Sequence, residues 1–342
     1  MDKNTENYLK MRPYRRGGPP ALLTLMGRQT AEGFSSPWQR FGYEIGGPLC
    51  FAFTKWIADE IEQKHPDVTD VAFIARDGYL LRQIWAMLPH AREIPAHYVY
   101  APRSVKKQCQ DPAEHEKYRA YLRGMGFGGG TIATVDTVTM EFSGQRLIAS
   151  SVAQPVHGFC WVVLGEDKKL REGLRFSTYQ RQHYHVIANW NIMEFIMTSP
   201  EPPVQSLAAG RPVYAPPDAF EAKREAIFAE VSAGVLAFAR DACRLGAPSF
   251  TVEEMVGWIN GYLRHPTAED RTLFADVRFS EAADHSDSIL LEPFAPPALK
   301  DRLWFLTQRH PVLHQVLRRG KRLWKKARSV TGGDRTNGEM QG

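Results

Sequence analysis

The feature that most constrains this chain is a short apolar run, Val71-Ala72-Phe73-Ile74, which stops at Ala75-Arg76-Asp77-Gly78 and passes at once into an amphipathic stretch over residues 79–87. An apolar run closed by a glycine signals a buried strand, and the period that follows it signals a helix. The unit recurs. His97-Tyr98-Val99-Tyr100 ends in Ala101-Pro102-Arg103-Ser104 and leads to helical sequence over residues 111–125. After Gly128-Gly129-Gly130, a third run over residues 131–135 ends in Asp136, and another helix is predicted from Ser143-Gly144-Gln145. A fourth strand is predicted over residues 156–164. Strands that alternate with helices imply an α/β fold with a Rossmann-like parallel sheet and helices on both faces. In such sheets ligands bind beyond the carboxyl ends of the strands, and Arg76, Asp77, Arg103, Ser104 and Asp136 all fall at predicted strand ends.

The flanks divide the chain further. Residues 1–35 carry Arg15-Arg16-Gly17-Gly18-Pro19-Pro20 and read as a flexible arm with one short helix over residues 21–26, closed by Gly27. The α/β core is expected over residues 36–170. It begins with helical sequence over residues 38–63, where Phe53, Trp56, Ile57 and Ile61 share one face and Gly46-Gly47-Pro48 marks a break or a helix start. Residues 171–312 read as a mainly helical half, either a cap over the sheet edge or a separate bundle. It has helical sequence over residues 179–197, a turn at Pro200-Glu201-Pro202-Pro203, a long helix over residues 219–245 and another over residues 251–263. Thr251 is suited to the N-cap of the last, with Glu254 three residues on. With 43% hydrophobic and 24% charged residues, the 342-residue chain has enough apolar material for a large core.

Charge and cysteine content narrow the function classes. Arg318, Arg319, Lys321, Arg322, Lys325, Lys326 and Arg328 crowd one segment; removing these seven from the net charge of +5 leaves −2, so the basic character is local. In the tail, residues 313–342, this charge interleaves with Leu313, Val316, Leu317, Leu323 and Trp324. That pattern suits a membrane surface and carries no specific nucleic-acid motif; a solvated terminus is the alternative. The four cysteines, Cys50, Cys109, Cys160 and Cys243, lie far apart with no metal-type spacing and read as buried thiols. No basic start followed by an apolar run and no stretch of about 18 apolar residues occurs, so a cytoplasmic location is expected, at most peripheral to an inner membrane.

Asp77 leads the candidate site. A carboxylate at a strand tip, followed by glycine and a helix, is placed to hold Mg²⁺ or to move a proton, and Gly78 lets an anion approach the helix start. The competing reading is a helix-capping aspartate. Asp136 has the same placement, in a segment rich in hydroxyls that runs to Ser143; a second capping loop is its alternative. Arg76 and Arg103 offer guanidinium forks for phosphate, and Ser104 and Ser143 offer hydroxyls. His183 and His185, with Asn189, Asn191 and Glu194, form a polar cluster that reads as structural.

Taken together, the segment 71–81, Tyr98-Val99-Tyr100 leading to Arg103-Ser104, Val135-Asp136 leading to Ser143-Gly144-Gln145, and Phe41-Gly42-Tyr43-Glu44-Ile45-Gly46-Gly47-Pro48 resemble a bacterial family. It is the haloacid-dehalogenase-like (HAD-like), hydrolase-related family that accompanies surface-polysaccharide glycosyltransferases. The resemblance covers residues 38 to 245. HAD-like phosphohydrolases carry Asp-x-Asp-Gly after the first strand, the first Asp as nucleophile and the second as acid/base. Asp77 and Gly78 fall on the second Asp and the Gly, but Ala75 stands at the nucleophile, and a methyl group cannot attack phosphorus. The resemblance implies Ser104 near a phosphate-binding hydroxyl, Asp136 near an acidic metal position, and Mg²⁺ as cofactor. Two expectations follow. One is an enzyme that acts on a sugar phosphate or nucleotide sugar, by Mg²⁺-dependent hydrolysis or by phosphoryl or glycosyl transfer. The other is a catalytically silent module that binds such a compound or a glycosyltransferase partner.

Overall fold

The computed structural model of the chain describes residues 2–139, 141–163, 172–180, 190–217, 219–280 and 288–290. The first two helices are α1 (Lys3–Met11) and α2 (Pro20–Glu32), linked by a 3₁₀ turn at Pro13–Arg15. There follow α3 (Pro37–Phe41), α4 (Gly47–Lys64), β1 (Val68–Ile74), α5 (Gly78–Trp85), β2 (Ala96–Val99), α6 (Arg103–Gln108), α7 (Pro112–Arg123), β3 (Thr131–Thr139), α8 (Ser143–Ala149), β4 (Val156–Val163) and β5 (Arg175–Thr178). Then come α9 (Trp190–Ile196), the hairpin β6 (Val204–Ala208) and β7 (Arg211–Tyr214), α10 (Ala219–Arg244), α11 (Val252–Arg264), α12 (Ala268–Phe274), β8 (Arg278–Ser280) and β9 (Ser288–Leu290).

The central sheet is fully parallel, in the order β2-β1-β3-β4-β5. Alternation along the strands divides its two faces. Val71 and Phe73 of β1, with Ala133 and Val135 of β3, point into a large cluster with α4, α5 and α10; Ala72, Ile74 and Ile132 point into a smaller one with Val105, Tyr118, Leu122, Leu147 and Ile148 of α6, α7 and α8. Because both faces are covered, the strands read as continuous apolar runs, as a parallel sheet requires. β5 escapes that reading: Arg175-Phe176-Ser177-Thr178 is an edge strand with exposed or half-buried side chains, so it carries no apolar run.

The helical half shares the core of the sheet. Val231, Val235 and Phe238 of α10 and Met255, Trp258 and Ile259 of α11 lie in the same cluster as Leu49, Phe53, Ile57 and Ile61 of α4. The predicted capping box at Thr251 and Glu254 forms, with the Thr251 hydroxyl accepting from Glu254 N–H at 3.2 Å and the Glu254 carboxylate from Thr251 N–H at 2.8 Å. Where Gly46-Gly47-Pro48 predicts a break or a start, the helix runs on from α3 to α4 through a π turn at Gly42–Gly46. The glycines there serve close packing: a Cβ on Gly42 would lie 2.1 Å from the Val231 carbonyl oxygen, and one on Gly47 2.4 Å from Phe238 Cβ.

Residues 1–35 differ from the flexible arm expected. They form two helices whose Tyr8, Leu9, Leu22, Leu25 and Met26 are buried in the main core. Asp2 caps the first, accepting from Thr5 N–H at 2.8 Å, and the Arg15 guanidinium stacks on the Trp258 ring at 3.6 Å. The Arg/Gly/Pro stretch is thus the link between two packed helices, with Pro20 at the first position of α2, where its missing N–H costs nothing. Tyr179 and Gln180, expected to open a helix, instead extend the line of β5, their N–H groups donating to Cys160 and Trp161 carbonyls. The basic tail and the pair His183 and His185 lie outside the described residues, as does Asn189. Among the described residues no helix is long and apolar enough to cross a membrane.

Candidate functional site

The strand order reverses direction at β1. Its connection through α5 leads to β2 on one side, whereas β3 and all later strands of the sheet lie on the other. Adjacent chain crossings therefore leave on opposite faces between β1 and β3, and the carboxyl ends of these two strands are the usual place for a ligand in such sheets. Asp77 follows β1, and Asp136 lies in the carboxyl-terminal half of β3, paired with Cys160 of β4.

Asp77 occupies the N-cap position of α5, yet its side chain accepts no bond from the helix. The capping alternative fails here because Asp77 has helical backbone angles (φ −56°, ψ −35°), whereas a capping side chain needs extended backbone to reach the first turn. Its carboxylate instead faces Thr137 and Arg76. Burial lifts the Asp77 carboxyl from an ordinary 3.8 to about 6, against the pull of the Thr137 hydroxyl, the charge of Arg76 and the Thr137 N–H. Asp136 is pushed up to about 7, by burial first and then by the charge of Asp77; the Thr137 N–H and Arg103 oppose this. Each acid is thus held protonated to a higher pH than an exposed carboxylate, burial being the first cause for both and the Asp77 charge the second for Asp136. Gly78 is needed at the turn for space: a Cβ there would meet Phe73 Cβ at 2.6 Å and the Phe73 carbonyl carbon at 2.7 Å.

Of the remaining residues expected at this site, Arg76 and Arg103 gather round the pair. Arg76 Nη1 donates to Glu221 Oε1 at 2.9 Å, and Arg103, exposed at the start of α6, bears electrostatically on Asp136. Ser104 does not join them. Its hydroxyl donates to the Val204 carbonyl at 2.8 Å and pins the β6–β7 hairpin to α6. Ser143 accepts from Lys106 Nζ at 3.3 Å, after Phe142 in the left-handed region (φ 54°) turns β3 into α8.

Three groups with no strong local signal in the sequence complete the crevice wall. Glu221 and Arg224, three apart in the first turns of α10, pair at 2.6 Å and are both buried. Arg224 also donates to the Ser199 carbonyl at 2.7 Å and the Glu201 carbonyl at 3.1 Å, so it fastens residues 198–201 beside the site. Glu201 then receives three phenol hydroxyls: Tyr100 at 2.7 Å, Tyr98 at 3.0 Å and Tyr214 at 3.1 Å. The one hint of this cluster is Tyr-x-Tyr on a strand, which puts both rings on one face. Glu201 itself sits in a proline-rich turn with no local pattern to single it out.

The residues present fit Mg²⁺ in a limited way. Among the described residues no group of three or more His, Cys, Asp or Glu side chains converges to hold a metal. Two neighbouring carboxylates suffice for Mg²⁺ when substrate phosphate and water complete an octahedron, and a bound cation would offset the burial cost and the Asp77 charge that raise Asp136. No protein-family model matches the chain, and no curated protein matches it.

Proposed function

We propose that the chain is a divergent HAD-like protein that acts on a phosphorylated sugar or nucleotide sugar at the Asp77–Asp136 crevice, in the assembly of a bacterial surface polysaccharide. The observation that carries the reading is the position of Asp77: at a helix start, but with a side chain that takes no bond from the helix and lies within electrostatic reach of a second acid, Asp136 of β3. A structural aspartate gains nothing from such a neighbour. Two neighbouring acids with raised pKa, by contrast, can hold a divalent cation or move a proton near neutral pH.

Asp77 and Asp136 would hold Mg²⁺, which neutralises phosphate charge when bound. Arg76, oriented by Glu221, and Arg103 face the phosphate oxygens. With Ala75 where the nucleophile would be, the attacking group is water or an acceptor hydroxyl. One of the two carboxylates takes its proton and passes it to the departing oxygen, whose developing charge Arg76 and Arg103 offset. The pattern of HAD-like residues at 76–78 supports the family reading; Ala75 is where the chain departs from it.

The test is release of phosphate or nucleotide from sugar phosphates, nucleotide sugars and nucleotides in the presence of Mg²⁺, beside Asp77→Asn. Turnover abolished by the substitution is the expected result. Equal turnover in both proteins overturns the Asp77 mechanism, and no turnover with tight binding retained assigns the chain to binding, as a sugar-phosphate module or a partner of a glycosyltransferase.

A further inference from the structure

We propose that Glu201, held by Tyr98, Tyr100 and Tyr214, is the specificity group of this site and recognises the hydroxyls of the carbon skeleton that carries the phosphate. The inference rests on the phosphoester reading above and adds to it which part of the substrate the second wall takes.

Three phenols surround a single carboxylate, at 2.7, 3.0 and 3.1 Å. Burial and the neighbouring carboxylate raise the Tyr98 and Tyr100 phenols well above their ordinary value, so both remain protonated donors. A carboxylate has about four acceptor positions and a phenol one proton. The phenol protons are spent within the cluster, on Glu201 and across the 3.2 Å contact between the Tyr100 and Tyr214 hydroxyls. What the cluster offers an incoming ligand is therefore lone pairs and a negative charge. Such a surface rejects phosphate and accepts from hydroxyl groups, and neighbouring hydroxyls of a sugar ring are spaced to meet a carboxylate and an adjacent phenol oxygen together.

Position and rigidity agree with that role. Glu201 and its three tyrosines are all half-buried rather than sealed in the core, so water alone would satisfy a merely structural carboxylate there. Tyr98 lies within electrostatic reach of Asp77 and of Arg76, which puts the cluster beside the phosphate end of the crevice. Tyr100 is fixed at both ends. Its N–H donates to Tyr121 Oη at 3.0 Å, its carbonyl accepts from Tyr118 Oη at 3.1 Å, and its own hydroxyl meets Glu201. The Glu201 backbone is in turn clamped by the buried Arg224. The acceptor surface is thus built in advance of the ligand, as selective recognition demands, and its aromatic rings suit the C–H face of a sugar.

The experiment is calorimetric titration in saturating Mg²⁺ with methyl phosphate, which has a phosphate and no hydroxyl-bearing skeleton, and with a panel of hexose and pentose phosphates. In the unaltered protein the best sugar phosphate should bind roughly tenfold or more tighter than methyl phosphate, the scale of hydrogen bonds to a charged group. Glu201→Gln should remove most of that margin and leave the methyl phosphate affinity unchanged. Tyr214→Phe, on the hairpin surface, tests the same margin if Glu201→Gln does not fold. The proposal is overturned if no sugar phosphate exceeds methyl phosphate, or if the margin survives the substitutions in folded protein. Failure of methyl phosphate and of every sugar phosphate to bind would instead overturn the phosphoester reading, and this proposal with it.

Discussion

At the scale of single residues, the carboxylate pair makes a pH-dependent claim on stability. Asp77 and Asp136 hold their protons to about 6 and about 7 in the folded chain, against an ordinary 3.8. Between the ordinary and the raised values the folded state binds more protons than the unfolded one, so the pair costs stability progressively as pH rises from about 4 to 7, and the full cost persists above that. Asp136→Asn should therefore stabilise the protein by on the order of 1–3 kcal/mol at pH 8 and by almost nothing at pH 4. Thermal unfolding at the two pH values checks this, and a gain at pH 4 as large as at pH 8 would show that the Asp136 charge is not the cause. Gly78 makes the opposite kind of demand. A methyl group at this position would lie 2.6 Å from Phe73 Cβ. Gly78→Ala must therefore push the start of α5 off β1, at about 1–3 kcal/mol, measurable as a lower denaturant midpoint with an unchanged slope.

At the scale of elements, the site depends on how a hairpin and a helix start are fastened to a sheet edge. Arg224 joins residues 198–201 to α10, and Ser104 joins β6 to α6. Arg224 is buried with Glu221, and Glu221 also holds Arg76. Removing one partner of a buried pair leaves an uncompensated charge, so Arg224→Ala should cost about 3–5 kcal/mol. Because the same side chain holds the Ser199 and Glu201 carbonyls, amide exchange in residues 198–214 should accelerate more than in β1 or β3. Uniform acceleration would mean that the segment is held by other contacts. The α11 cap is a simpler case: Thr251→Ala removes one half of the box and should lower stability by about 1 kcal/mol, read as a fall in the unfolding midpoint.

At the scale of the whole molecule, the N-terminal helices, α4, α5 and α10–α11 share one core on one face of the sheet. Tyr8 and Leu22 are fully buried in the same cluster as Phe53, Phe73, Phe238 and Trp258. Deletion of residues 2–17 would strip Tyr8 and Leu9 from that core and Arg15 from the face of Trp258. The shortened chain should lose several kcal/mol by the measure of aromatic truncations and unfold at a clearly lower temperature in a single transition. An unchanged transition would show that α1 and the turn after it pack without contributing to stability.

The local pattern of the chain determined the β-α alternation, four of the five strands of the sheet, the capping box at Thr251 and the strand-end placement of Asp77, whereas Asp136, expected just past its strand, lies inside β3, which pairs with β4 as far as Thr139. These are legible because each is written in neighbouring residues: an apolar run buried on both faces, a glycine at a turn, a cap three residues from its partner. β5 and the β6–β7 hairpin were not, since edge strands with half-exposed side chains carry no apolar run. The packing of residues 1–35 was also hidden, because helices of mixed composition reveal their buried face only against a partner surface. Whether Asp77 capped its helix or met Asp136, and whether Ser104 faced the crevice or a hairpin, depended on side-chain directions set by contacts far away along the chain. Glu201 joined three tyrosines for the same reason: neighbouring residues set types and short-range periods, whereas convergence of distant side chains is decided only when the packed core brings their backbones together.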